Sequence, residues 1–540
     1  MTPCSLTARM LSLVFLLFIG QHTLLAADAA PASVVVTTDK GDVRGLVENG
    51  LLRFKGIPYA QAPSGELRWQ LPQPAHAWSD IHDATQYASA CPQLERYGIP
   101  ESSLNEDCLA LNITLPFHHA ADMNKKRPVI VWIHGGAFVG GSSGLYSLDY
   151  MAELGDVVVV SMNYRLGVLG FTAHPAFDAD HNGGYGLEDQ RAALRWVQNN
   201  IAAFGGDPDN VTVAGESAGG ASVCMHLLAP NETQGLFHKA IVQSAGCATP
   251  LLSVEEGKKI GDQIGEKLGC DQADTALTCL RAQPVKKLLE AASEVAGSNI
   301  LTFMPVIGTQ TAPTPGAQAI PAGDFVQVPV LYGGTQDELR LYVAYAVQSG
   351  QAFNEQTYAE RLREVYGDHT DTIMQRYPLS AFSSAASAVG SAWSDFRQDV
   401  GINHCIYLES AKLLRKFVPV YQFNFADRTA PAVTDNPGFE MGAVHSSELI
   451  YQFPGFDNTR QQAGPKLNAE QQALADKMMA YFTHFAATGV PRAPNAPDWN
   501  IFDRDDRVMN FQTGELGFIN QSQLSQCDLW KSLYPHILTQ

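Results

Sequence analysis

Basic residues are scarce in this chain: 36 lysines and arginines stand against 55 aspartates and glutamates, a formal charge of −19 at pH 7. Such an acidic surface argues against nucleic acid and against anionic membranes as partners, and any anion site would have to be built locally. Low-complexity stretches, internal repeats and a Pro/Ser-rich linker are also missing. Beyond the N-terminus, no apolar run approaches the roughly 20 residues that a membrane span needs. There is no H-E-x-x-H sequence and no metal-type cysteine spacing. The run DADHNG (178–183) opens like a calcium loop, with Asp189 at its twelfth position, but no helix precedes it and the bidentate glutamate is absent. Neither a metal nor a cofactor is expected.

The N-terminus departs from this ordinary composition. Arg9 is followed by an apolar run from Met10 to Ile19 and by small residues at Ala26, Ala27, Ala29 and Ala30. This is the three-part pattern of a secretory signal peptide, expected over residues 1–29 with cleavage near Ala26–Ala30. The mature chain would then carry no membrane anchor and would be secreted or periplasmic. Cys4 would leave with the leader, and eight cysteines would remain in a compartment that permits disulfides. Spacing alone does not fix their pairing.

A length of 540 residues suggests two domains, but no composition shift divides the chain. Short, continuous β-branched runs recur at 128–134, 157–163, 211–214, 239–244, 328–333 and 418–425. Strands of this kind are covered on both faces, as in a mostly parallel sheet. Helical patterns lie between them. Leu194, Val197, Ile201 and Phe204 form one stripe, closed by Gly205 and Gly206. Leu474, Met478, Tyr481, Phe482 and Phe485 form another, stopped by Gly489. The expected fold class is α/β, with residues 30–540 forming one domain with long insertions.

Two motifs carry chemistry. VTVAGESAGGAS (211–222) runs from a strand through Gly-Glu-Ser-Ala-Gly into a helix, the G-x-S-x-G arrangement of a serine nucleophile on a tight turn. Gly215 and Gly219 would lack Cβ atoms because strand and helix approach too closely there. Ser217 would then present its hydroxyl at a helix N-terminus, where amides favour developing negative charge. Upstream, VWIHGGAFVGG (131–141) follows a strand and is rich in uncovered backbone amides. Acyl transfer passes through an oxyanion that needs such donors, and the amide after the nucleophile, Ala218, would complete the hole.

The chain resembles the type B carboxylesterases, the α/β-hydrolase family that includes the cholinesterases. The resemblance rests on FKGIPYAQAPSGELRW (54–69), NEDCLALNI (105–113), HGGAFVGG (134–141), NYRLGVLGF (163–171), the long stretch at 186–220 and CLR (279–281). It implies an α/β-hydrolase fold, a mostly parallel central sheet flanked by helices, and a secreted serine esterase acting on small-molecule carboxylic esters through an acyl-enzyme. Its acid would fall on Glu338 in VPVLYGGTQDELRLY, where the residues alone do not separate Glu338 from Asp337, and its base on His445 in GAVHSSELIYQF. The loop half of the oxyanion hole would be Gly136 and Ala137. Many relatives have glycine at the latter position, so tertiary alcohols should be disfavoured. Glu216 would line the site, either stabilising an imidazolium or serving as a structural hydrogen-bond partner, and Ser244 would support the acid. Cys91–Cys108, Cys270–Cys279 and Cys405–Cys527 would be bridged, leaving Cys224 and Cys247 as buried thiols. Arg68–Glu106 and Arg165–Asp189 would be structural ion pairs.

The resemblance also has gaps. Cholinesterases bind quaternary ammonium with a tryptophan in the first disulfide loop; here residues 92–107 hold only Tyr97 as an aromatic, so choline esters are not expected. A narrower substrate reading, removal of tricarballylate side chains from fumonisin-type mycotoxins, would need basic residues near the site, and Arg340 is the candidate. Two alternatives stay open at this stage: an interfacial lipase, and a non-catalytic adhesion protein on the same fold.

Overall fold

A computed structural model describes residues 1, 32–95, 101–456, 466–503 and 505–537. Nearly all of the expected leader, and Tyr97, lie outside the described residues. A 13-stranded sheet runs through the molecule. Its centre is seven parallel strands: β1 (Arg127–Ile133), β2 (Val158–Met162), β3 (Gly206–Glu216), β4 (Lys239–Gln243), β5 (Val330–Thr335), β6 (Val420–Phe425) and β7 (Arg507–Phe511). They stand side by side in the order β2-β1-β3-β4-β5-β6-β7. Antiparallel strands extend both edges, Ala110–Pro116 beside β2 and Gly517–Asn520 beside β7.

The continuous apolar runs follow from burial on two sides. Along β1, Val129, Val131 and Ile133 join one core while Ile130 and Trp132 join the other, as a period of two requires. The first core is roofed by helices α1 (Tyr185–Asn200) and α2 (Ala218–Leu227), the second by α3 (Ala469–Thr488). The stripe read as far as Phe204 divides into α1 and a 3-10 turn, Ile201–Phe204, capped by Gly205 at φ 74°. This is the α/β-hydrolase fold.

Two expected ion pairs are present. Arg165 holds Asp189 through two side-chain bonds of 2.8 and 2.7 Å, and its backbone N–H adds a third at 3.0 Å. Asp189 is thereby committed to structure rather than to a cation loop. Arg68 grips Glu106 in the same forked manner, at 2.6 and 2.7 Å.

The cysteines correct one expectation. Cys91–Cys108, Cys270–Cys279 and Cys405–Cys527 are bridged, but Cys224 and Cys247 form a fourth disulfide rather than remaining thiols. Cys224 lies near the end of α2 and Cys247 just after β4. These two elements pack together, bringing the Cα atoms to 5.0 Å. That proximity is tertiary and leaves no trace in the spacing.

Candidate active site

The candidate residues gather at the carboxyl ends of the parallel strands, where α/β sheets open a crevice. Ser217 follows β3, the glycine-rich loop follows β1, Glu338 follows β5 and His445 lies on the long connection after β6. The turn at Ser217 is as crowded as the glycines implied. A Cβ on Gly219 would come within 2.0 Å of the Ile133 carbonyl oxygen, and one on Gly215 within 2.4 Å of Gly219. Ser217 itself is held at φ 55°, ψ −122°, a strained conformation that leaves Oγ facing the crevice.

Three side chains lie in line. His445 Nε2 is 2.8 Å from Ser217 Oγ, and His445 Nδ1 is 2.7 Å from Glu338 Oε2. The other carboxylate oxygen, Oε1, accepts hydrogen bonds from Ser244 Oγ (2.7 Å), the Thr335 N–H (2.9 Å) and Tyr407 OH (3.0 Å). Burial alone would raise the Glu338 pKa. The hydrogen bond and charge of His445, with Ser244 and the Thr335 amide, outweigh burial and hold it below the usual carboxylate value. Asp337 faces away, accepting from the Ala443 N–H at 3.0 Å and pairing with Arg340 at 3.3 Å. The two neighbouring carboxylates thus differ in direction: Glu338 meets the imidazole and Asp337 meets guanidinium.

Glu216 lies 3.3 Å from His445 Nε2 and accepts a 2.9 Å hydrogen bond from Ser446 Oγ. Burial lowers the imidazole pKa, but the charges of Glu216 and Glu338 reverse that and leave it above its ordinary value. Burial raises the Glu216 carboxyl in turn. Nothing in the sequence pattern singled out Glu448. It is fully buried, its two oxygens have no hydrogen-bond partner among the described residues, and burial drives its pKa well up, towards the neutral form. Tyr407 was equally silent, since its contact with Glu338 spans 69 residues.

In the loop after β1, Gly136, Ala137 and Phe138 take φ values of 115°, 53° and 61°. Among the described residues, the N–H groups of Gly136, Ala137 and Ala218 donate to no other protein atom. Ala137, Ser217 and Ala218 line the same cavity. Arg340 is not in this crevice. It is 3% exposed and committed to Asp337, the Glu440 carbonyl and Ser391, so the basic residue proposed for a polyanionic acyl group points elsewhere.

Residues 32–530 match the carboxylesterase family. The chain belongs to that family. The para-nitrobenzyl esterase of Bacillus subtilis is 33% identical over 519 residues, covering 91% of this chain and 96% of its own length. The fumonisin B1 esterase of Sphingopyxis macrogoltabida is also 33% identical, over 90% of this chain and 88% of its own length. Human cocaine esterase is 32% identical over 88% of each. A solved structure of PNB esterase superposes with a TM-score of 0.75 at 31% identity, covering 91% of this chain and 99% of that one. The protein is a carboxylic ester hydrolase, acting on small-molecule esters. Its four disulfides fit a secreted protein, and no helix among the described residues is long and apolar enough to cross a membrane.

Proposed function

We propose that residues 30–540 form a single catalytic domain of a secreted or periplasmic serine carboxylesterase with Ser217 as nucleophile, His445 as general base and Glu338 as the acid. The observation that carries this is the unbroken line from Ser217 Oγ through His445 to Glu338, at 2.8 and 2.7 Å, beside three amides without protein partners among the described residues. His445 takes the Ser217 proton as Oγ attacks the ester carbonyl. The amides of Gly136, Ala137 and Ala218 receive the oxyanion. Glu338 fixes the imidazole tautomer and stabilises its charged form. His445 then returns the proton to the departing alcohol, and water releases the acyl group by the same path. The test is ester hydrolysis by Ser217→Ala: a variant that keeps its turnover overturns the reading.

Two further results are expected. Base catalysis needs neutral imidazole, so kcat/KM falls on the acid side as His445 gains a proton. The nearby carboxylates raise its pKa, which puts this limb above the ordinary histidine value of about 6.5. Glu216→Gln removes one of those charges and shifts the limb to lower pH. A limb that stays in place in the pH profile of p-nitrophenyl butyrate hydrolysis excludes Glu216 as an electrostatic partner. Ala137 lines the same cavity as Ser217, and alanine in place of glycine adds a methyl group at that position. Esters of tertiary alcohols should turn over at least about tenfold more slowly than those of secondary ones, on the scale of one overpacked contact. Equal rates would show that the methyl group imposes no restriction.

A further inference from the structure

The Gly136 N–H, one of the three proposed oxyanion donors, belongs to the same planar peptide unit as the Gly135 carbonyl. Whatever fixes that carbonyl therefore fixes the direction of the N–H. Two groups meet it. His134 Nδ1 lies 2.8 Å from the Gly135 oxygen, and since a carbonyl only accepts, Nδ1 carries the ring proton. Gly141 returns to the same place from the far end of the loop: a Cβ there would stand 2.7 Å from the Gly135 oxygen and 2.8 Å from His134 Nδ1. The intervening turn is closed by the Val139 and Gly140 N–H groups, which donate to the Gly136 carbonyl at 3.0 and 3.1 Å. The carbonyl end of the donor peptide thus rests against Gly141.

Gly141 is in turn gripped by the Gln93 side chain, which is 1% exposed. The Gly141 N–H donates to Gln93 Oε1 at 2.7 Å, and Gln93 Nε2 donates to the Gly141 carbonyl at 2.9 Å. Nε2 also donates to the Cys91 carbonyl at 3.1 Å. Gln93 lies two residues beyond Cys91, in the segment closed by the Cys91–Cys108 bridge, and its backbone pairs with Ser103 in both directions at 2.9 and 3.0 Å. A second tie joins the same two segments, from Ser142 Oγ to Glu101 Oε1 at 2.7 Å. A buried carboxamide with three backbone contacts on two segments specifies how they sit together, which an apolar side chain of equal size would not.

Resting on the reading of Ser217 and the three amides given above, we propose that Gln93 is a positioning residue for the oxyanion hole. It ties the disulfide-closed segment to Gly141, and Gly141 keeps the Gly135–Gly136 peptide turned so that its N–H meets the oxyanion. The effect falls on the transition state, because preorganised donors matter most where the oxygen carries full charge. Deleting one such donor costs roughly 10²–10³ in kcat, and letting one drift costs part of that. The segment 91–108 therefore serves turnover as well as stability.

The test compares wild type with Gln93→Leu, all rates being divided by the sites titrated to completion with paraoxon. The kcat for p-nitrophenyl butyrate should fall at least tenfold while KM stays within threefold. Two ketones then isolate the hole. Benzyl trifluoromethyl ketone is attacked by Ser217: the Oγ–carbon bond forms, the Oγ proton passes to His445 and the ketone oxygen becomes the anion. Phenylacetone, with a methyl group in place of trifluoromethyl, binds without being attacked. The preference for the trifluoromethyl ketone, taken as the ratio of inhibition constants, should fall at least fivefold in the variant. Lower stability alone would leave that ratio unchanged, since both ketones lose the same fraction of enzyme. Gln93→Glu fills the same space but sets a carboxylate oxygen against the Gly141 and Cys91 carbonyls. It should show the same losses, and it decides the matter if Gln93→Leu does not fold. A per-site kcat and a ketone ratio within twofold of wild type overturn the role of Gln93. Failure of the parent reading looks different: wild type would then bind the two ketones alike, or Ser217→Ala would keep the preference.

Discussion

Replacing Ser217 with alanine should lower kcat for p-nitrophenyl butyrate by about 10⁶-fold while KM changes little, the pattern seen when a serine nucleophile is removed from a catalytic triad. The change deletes one atom. Ser217 Oγ makes its hydrogen bond to His445 Nε2, while the backbone bonds of the turn, Ser217 N–H to the Gln243 carbonyl and Ala221 N–H to the Ser217 carbonyl, do not involve the side chain. Alanine meets the same backbone strain at φ 55° as serine does, so the turn has no new reason to relax. The melting temperature should accordingly stay within a few degrees of wild type. Some acceleration over water should survive, because the three amides and the cavity remain in place. A variant with a tenth of wild-type turnover would mean that another group attacks the ester.

The parallel core was legible because each central strand is covered on both faces and so reads as an uninterrupted apolar run. β7 was not. Its sequence, RVMNF, mixes an exposed arginine with a buried asparagine whose side chain bonds Asn424 on the neighbouring strand. The N-terminal strand Asp42–Glu48 also escaped, since its DVRGLVE alternates buried and exposed positions over too few residues to stand out. Within the site, Ser217, the glycine-rich loop and Ala218 were visible as local patterns tied to a strand end. Glu338 and His445 were visible only through family resemblance, because nothing within their own segments marks a carboxylate or an imidazole as aimed at Ser217. Contacts created by folding alone, such as Tyr407 on Glu338 or Cys224 with Cys247, left no local mark at all.

Glu338→Gln should reduce kcat by about 10⁴-fold, comparable to amidation of the acid in other triads. The size follows from which way the new amide must face. Oε1 accepts from three donors, Ser244, the Thr335 N–H and Tyr407. An NH₂ group placed there would face the Thr335 N–H, a donor that cannot reverse, and would force both hydroxyls to turn, so the amide oxygen takes that position and the NH₂ turns to His445 Nδ1. Nδ1 must then accept, which puts the ring proton on Nε2, and Nε2 can no longer take the proton of Ser217. The negative charge that supports the imidazolium is lost as well. Asp337→Asn makes the matching control on the adjacent residue. It leaves the imidazole untouched but weakens a buried pair with Arg340, and should cost stability, about 3–5 kcal/mol where one partner of a buried ion pair is removed, rather than turnover per folded molecule. Saturating rates and thermal unfolding on both variants separate the two roles. Collapse of kcat in Asp337→Asn with Glu338→Gln left active would assign the acid to the wrong carboxylate.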